Sequence, residues 1–198
     1  MPLLESELPA DPLVLFDAWF GEAVAAGAPQ PEAVTLATAD ASGSPSARMV
    51  LFKGLEEGAF LFYSNYESRK GRDLAANRKA AMVFYWSATR HQVRVSGTVR
   101  RLSRGASAAY FHSRPRGAQL SALASRQSRV VRSREVLERA VLDLAARYAG
   151  EVPLPRDWGG YALRPRWMEF WENREDRLHD RIRYARRVGG WRLERLAP

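Results

Sequence analysis

With 198 residues, 46% of them hydrophobic and 11% aromatic, the chain is long enough to bury a sizeable core and is not a disordered segment. It carries 31 Lys plus Arg against 22 Asp plus Glu, a formal net charge of +9, which points to an anionic ligand or partner. The absence of cysteine excludes disulfides, thiolate catalysis and cysteine-held metals, and the absence of an apolar run of ~18 residues or a signal pattern leads to the expectation of a soluble, cytoplasmic protein.

The N-terminal LPADP announces a helix, with Asp11 as its cap and Pro12 in its first turn. Leu13, Phe16, Phe20 and Val24 recur at helical spacing, and Gly27 closes the element. Strands are then predicted over 34–38 and 47–53, joined by the turn residues Asp40, Ala41, Ser42 and Gly43. Gly54 to Gly58 turns the chain into a strand over 59–64. A short helix follows within 65–77 and further strands over 79–86 and 92–102. In the last of these Gln92, Arg94, Ser96, Thr98 and Arg100 share one face, opposite Val93, Val95 and Val99. Helices are predicted over 103–110 and 117–125, and a longer one begins at Ser133 with Leu137, Val141, Leu144 and Tyr148 on its buried side. The chain returns to strands over 161–163, 168–171, 178–184 and 191–196. Successive strands with tight turns favour one antiparallel barrel domain spanning the chain, mainly β, with an N-terminal helix and a helical insert.

Cations concentrate where an anion would sit. Arg48 and Lys53 bracket one strand, while Ser68, Arg69 and Lys70 stand at a helix start, where unpaired N–H groups and a partial positive charge favour phosphate. Between Asp73 and Glu135 there is no carboxylate, yet twelve arginines fall there, and arginine suits bidentate capture of phosphate or carboxylate. The histidines, His91, His112 and His179, lack metal-ligand spacing, and no GxGxxG, Walker A, HExxH or GxSxG signature is present. If the segment 177–181 is a strand, Arg177, His179 and Arg181 share a face and need an anion or an electron-rich ring beneath them, or pairing with acids such as Glu169, Glu172 or Glu175. Asp180 on the other face has either a basic partner or a role in strand geometry. The profile fits a protein that orients a phosphorylated cofactor.

The segments RMVLFK, YSNYESRK, RHQVRVSG, YFHSRPR, SRQS, WGGY, EFW and RLHDR, in this order from LPADPL to the terminal RLAP, resemble the pyridoxamine 5′-phosphate oxidase family over nearly the whole chain. The resemblance implies an FMN-binding split β-barrel and a homodimer with flavin at the subunit interface. It implies oxidation of pyridoxamine or pyridoxine 5′-phosphate to pyridoxal 5′-phosphate, with dioxygen as electron acceptor and hydrogen peroxide released. It assigns Arg48, Lys53, Tyr63, Ser64, Arg69, Lys70, Gln92, Gln127, Ser128, Trp171 and Arg181 to the cofactor, and the helix-start reading adds Ser68. Lys53, Tyr110 and Arg114 match the residues that hold the substrate phosphate, and Arg177 and His179, the expected catalytic pair, match those over the pyridine ring. No metal, nucleic acid or membrane partner is expected. The chain departs from the family pattern at Ala118, where a phosphate-binding serine is usual, and its leader before LPADPL is short. A phenazine-biosynthesis oxidase is the alternative within the fold, and a nucleic-acid-binding barrel the alternative outside it.

Overall fold

Period-two alternation of apolar and polar residues marks several of the strands, and the computed structural model describes residues 3–198. Helix α1 (Pro12–Ala25) precedes β1 (Ala33–Ala39), β2 (Pro45–Leu51), β3 (Leu55–Glu56) and β4 (Ala59–Asn65). Helix α2 (Arg69–Ala76) leads into β5 (Lys79–Trp86) and β6 (His91–Arg101). Helices α3 (Arg104–Ser113), α4 (Arg116–Ala124) and α5 (Arg134–Arg147) form the insert before β7 (Trp158–Glu172), β8 (Asp180–Arg187) and β9 (Gly190–Arg195). Among the described residues these nine strands make one antiparallel sheet, ordered β2-β1-β5-β6-β7-β4-β3, with β8 and β9 continuing from β7.

The sheet curls until its edges meet. The Lys53 N–H donates to the Leu61 carbonyl at 2.8 Å and the Leu61 N–H to the Gly54 carbonyl at 2.9 Å, which ties the end of β2 to β4. Farther along, a cleft lined by both strands separates β2 from β4, so the barrel is split. Inside it, Phe16 from α1 meets Phe52, Phe60 and Phe84 edge-on, with ring centroids 5.4, 4.8 and 5.1 Å away. Such pairs add about 0.5–1.5 kcal/mol each beyond the area they bury. The Asp11 carboxylate accepts the Leu13 N–H at 3.0 Å, as the sequence suggests. The buried stripe of α1 differs from the expected one: it runs through Leu15, Phe16, Trp19 and Ala23, which leaves Val24 exposed beyond its edge.

Two further expectations are corrected. The strands expected over 161–163 and 168–171 are one continuous β7, because Pro165 sits at a register shift opposite Ser96 and Gly97, where the missing N–H is tolerated. Gly97 makes this possible, since a Cβ there would lie 2.0 Å from the Arg164 carbonyl oxygen. The face of α5 is only half-covered: Val141 and Leu144 pack against the cluster around Phe111 and Trp158, but Leu137 is exposed and no residue of the helix is fully buried. The bulge also yields a stability test. Gly97→Ala must push two backbones apart, so it is expected to cost about 1–3 kcal/mol or more, read as a lower urea midpoint with an unchanged m-value.

Candidate functional site

The cleft between β2 and β4 is floored by the start of α2. Ser68 caps this helix: its hydroxyl accepts the Gly71 N–H at 3.2 Å and donates to the Asn65 carbonyl at 2.7 Å. Gly71 is required here because a Cβ would lie 2.1 Å from the Tyr66 carbonyl oxygen. The tight junction turns Lys70 inward. Its ammonium is buried and donates to Ser64 Oγ at 3.0 Å and Gln127 Oε1 at 3.0 Å, with Ser68 Oγ at 3.4 Å. The neighbouring Arg69 N–H donates to Ser128 Oγ at 3.2 Å, which ties the segment after α4 to the same helix start.

Arg48 enters from β2. Its guanidinium donates to the Leu36 carbonyl at 3.1 Å, to Thr38 Oγ1 at 2.7 Å and to Ser46 Oγ at 2.6 Å. Behind it lies Asp73, buried on α2, which accepts from Thr38 Oγ1 at 2.7 Å and stands 3.7 Å from the arginine. Asp73 and Thr38 escaped the sequence reading, although Asp73 follows Arg69 by one helical turn and is the last acid before the carboxylate-free stretch. On the opposite wall Tyr63 and Tyr110 stack at 3.8 Å, and the Trp158 ring lies parallel to that of Tyr110 with centroids 6.3 Å apart. The Arg114 guanidinium sits 4.9 Å from the Trp158 ring, and its Nη1 is buried with no hydrogen-bond partner.

The resulting cleft, of about 920 Å³, is lined by Arg48, Lys53, Arg69, Lys70 and Arg114 and by no carboxylate. Burial, and then the nearby Arg48 charge, lower the Lys70 ammonium from 10.5 to about 8; burial also lowers Arg114 and raises the Tyr63 phenol. A buried ammonium without an acid, as at Lys70, is costly until an anion joins it. These residues therefore fit a ligand with phosphate at the α2 end and a second anionic group near Lys53, Tyr110 and Arg114. Of the residues expected in the site, Arg48, Lys53, Tyr63, Ser64, Arg69, Lys70, Tyr110, Arg114, Gln127 and Ser128 line this cleft. Ser68 lies beneath it, its hydroxyl engaged in the helix cap.

The remaining candidates stand elsewhere in the chain. Gln92 on β6 is in register with Trp171 on β7, and Trp171 with Arg181 on β8, so the three share one face of the sheet. Arg181 grips the buried Glu169 with two donors at 3.0 and 2.9 Å, the acid pairing foreseen as one alternative, and Arg94 reaches the same carboxylate at 3.2 Å. The stripe expected from a strand over 177–181 does not form. Strand β8 begins at Asp180, and Arg177, with φ +67°, lies in a turn whose N–H donates to the Arg174 carbonyl at 3.3 Å. Arg177 is exposed and makes no ion pair among the described residues. His179 packs beside Trp171 with ring centroids 4.8 Å apart, and its Nδ1 accepts the Arg174 N–H at 3.0 Å. A backbone N–H can only donate, so the neutral imidazole carries its proton on Nε2.

Comparison with solved structures gives the class: a split barrel. A PhzG structure from Burkholderia lata 383, in complex with tetrahydrophenazine-1-carboxylic acid, superposes with a TM-score of 0.94 at 32% identity, covering 99% of this chain and 98% of that one. A pyridoxamine 5′-phosphate oxidase-related, FMN-binding protein from Nostoc punctiforme shares the fold at 19% identity, with a TM-score of 0.74 and coverage of 91% and 96%. The family model for pyridoxamine 5′-phosphate oxidase matches residues 20–148, and that for the pyridoxine 5′-phosphate oxidase C-terminal dimerisation region matches residues 158–198. A pyridoxine/pyridoxamine 5′-phosphate oxidase of Salinibacter ruber is 55% identical over 192 residues, 95% of this chain and 89% of that protein. Its counterpart in Rubrobacter xylanophilus is 52% identical over 197 residues, 99% of this chain and 91% of that one. The chain belongs to the pyridoxamine 5′-phosphate oxidase family.

The buried ammonium makes the cleft pH-sensitive. Because the folded-state value of Lys70 lies below its ordinary 10.5, the ligand-free fold gains stability as pH climbs from about 8 toward that value. An anion binds the charged form, so affinity for a phosphomonoester is expected to weaken about tenfold between roughly pH 7 and 9. Calorimetric titration checks this, and Lys70→Arg, which stays charged, is expected to flatten the dependence.

Proposed function

We propose that the chain is an FMN-dependent oxidase that converts pyridoxamine or pyridoxine 5′-phosphate to pyridoxal 5′-phosphate, acting as a homodimer with its flavin sites at the subunit interface. The observation that carries this reading is the cleft itself, with five cations, an aromatic wall and no carboxylate. Two phosphorylated ligands, each carrying close to two negative charges, match that surplus. Relatives at 55% and 52% identity that bear the oxidase name support the substrate. The likeness to PhzG keeps a phenazine-type substrate as the second reading.

In the overall reaction the amine, dioxygen and water give the aldehyde, ammonia and hydrogen peroxide, while the alcohol and dioxygen give the aldehyde and hydrogen peroxide. Bound flavin would supply the hydride acceptor and pass the electron pair to dioxygen. The protein's part is positioning and electrostatics. Arg48, Arg69 and Lys70 would hold the flavin phosphate, with Ser64, Gln127 and Ser128 supporting them, and Lys53, Tyr110 and Arg114 the substrate phosphate. The row of Gln92, Trp171 and Arg181 and the turn bearing Arg177 and His179 would come from the partner subunit and close the cleft. Presented through Nε2–H, His179 donates a hydrogen bond to the substrate and does not act as a base from that nitrogen.

Assaying purified protein for aldehyde formation from both phosphorylated substrates tests the activity directly, and turnover of neither would overturn it. Residue roles separate in two variants. Arg177→Met is expected to remain yellow yet lose at least about tenfold in kcat/KM, ~1.4 kcal/mol, whereas Arg181→Met is expected to lose flavin first. At Ala118, which lines the cleft, restoring the hydroxyl with Ala118→Ser is expected to lower KM modestly or not at all and leave kcat unchanged, the sign of uniform binding.

A further inference from the structure

One buried acid lies outside the cleft and has no part in the roles described so far. Asp180 is 4% exposed, immediately follows His179 and opens β8. Its Oδ2 accepts from Arg174 Nε at 2.7 Å and Nη2 at 2.6 Å, and from the Leu3 N–H at 3.3 Å. Its Oδ1 accepts from Arg195 Nη1 at 2.6 Å. The carboxylate therefore joins three separated parts of the chain: the start of the turn at Arg174, strand β9 through Arg195, and the N-terminal segment at Leu3.

The turn between Arg174 and Asp180 is bracketed by this carboxylate. Arg174 is gripped twice, by its side chain on Asp180 and by its N–H on His179 Nδ1 at 3.0 Å. Between those anchors Arg177 holds φ +67°, a conformation that a non-glycine residue keeps only when its surroundings over-determine it. An amide in place of the carboxylate offers one acceptor oxygen and turns two N–H donors toward a guanidinium, so one arginine must let go.

We propose that Asp180 is a positioning residue for the oxidase reaction: by holding Arg174 and Arg195 together it sets where Arg177 and His179 stand. This rests on the reading that those two residues face the substrate. It separates the two halves of catalysis, because a loosened turn misplaces groups over the substrate and leaves the cations of the cleft untouched.

The test uses the flavin-loaded full chain. Asp180→Asn is expected to keep wild-type flavin content at some loss of thermal stability while the rate at which substrate bleaches the flavin falls at least about tenfold, with reoxidation by dioxygen unchanged. Combined with Arg177→Met, it is expected to slow bleaching no further than Arg177→Met alone, since both act through one turn. Hydrogen exchange over residues 173–180 is expected to accelerate with or without flavin, a readout independent of turnover. Wild-type bleaching and unchanged exchange in Asp180→Asn, or losses that multiply in the double variant, would overturn the proposal. Should Asp180→Asn not fold, Arg195→Gln carries the same test from a more exposed position: faster exchange in the turn with slower bleaching supports the proposal, and wild-type behaviour in both overturns it. If Arg177→Met alone left bleaching unchanged, the substrate assignment would fail, while the exchange data would still decide whether Asp180 holds the turn.

Discussion

Lys70 is buried at the start of α2 with its ammonium among the oxygens of Ser64, Ser68 and Gln127 and no acid in reach. Three neutral acceptors solvate a cation poorly compared with water, and the displacement of its ionisation to about 8 reflects that. Much of the surrounding structure keeps it there. Gly71 allows the helix to start against the Tyr66 carbonyl, Ser68 closes the cap, and the segment after α4 crosses over to supply Gln127 and Ser128. The barrel splits where this helix start meets β2, so Arg48 adds its charge from the other side. An anion in the cleft relieves all of these groups together.

The expected site residues outside the cleft are placed by a different device. Cross-strand register lines up Gln92, Trp171 and Arg181 on one sheet face, and Glu169 fixes Arg181 there with a two-donor grip. None of the three lines the cleft of its own chain. In the proposed homodimer a second copy would bring that sheet face over the first copy's cleft. The match of residues 158–198 to a dimerisation region accords with that arrangement. Two-fold symmetry would then build two equivalent sites from one interface.

Much of this was legible in the residues. The strand over 79–86, the Asp11 cap and the helix start at Ser68 were set by local chemistry that tertiary contacts did not override. The cleft cations were visible because they sit at a helix start and at the two ends of one strand. Local pattern failed where distant partners decide the outcome. Pro165 reads as a strand break until Gly97 is placed opposite it, and β7 is continuous for that reason. Arg177, His179 and Arg181 alternate like a strand, yet Arg174 and Asp180 fold the first two into a turn. Asp73 went unnoticed because its partners, Thr38 and Arg48, lie on strands far away in the chain.

The central claim is that each site is assembled from two copies, and subunit mixing tests it most directly. Arg114→Met disables the cleft and Arg177→Met disables the turn, so each variant alone is expected to be nearly inactive. Dissociated and reassociated in equal amounts, half of the dimers are mixed, and one of the two sites in each mixed dimer is intact. The account predicts recovery of about one quarter of wild-type activity on mixing. Activity that never rises above that of the two parents, with mixed dimers shown to have formed, would mean that the site is completed within one chain and would contradict it.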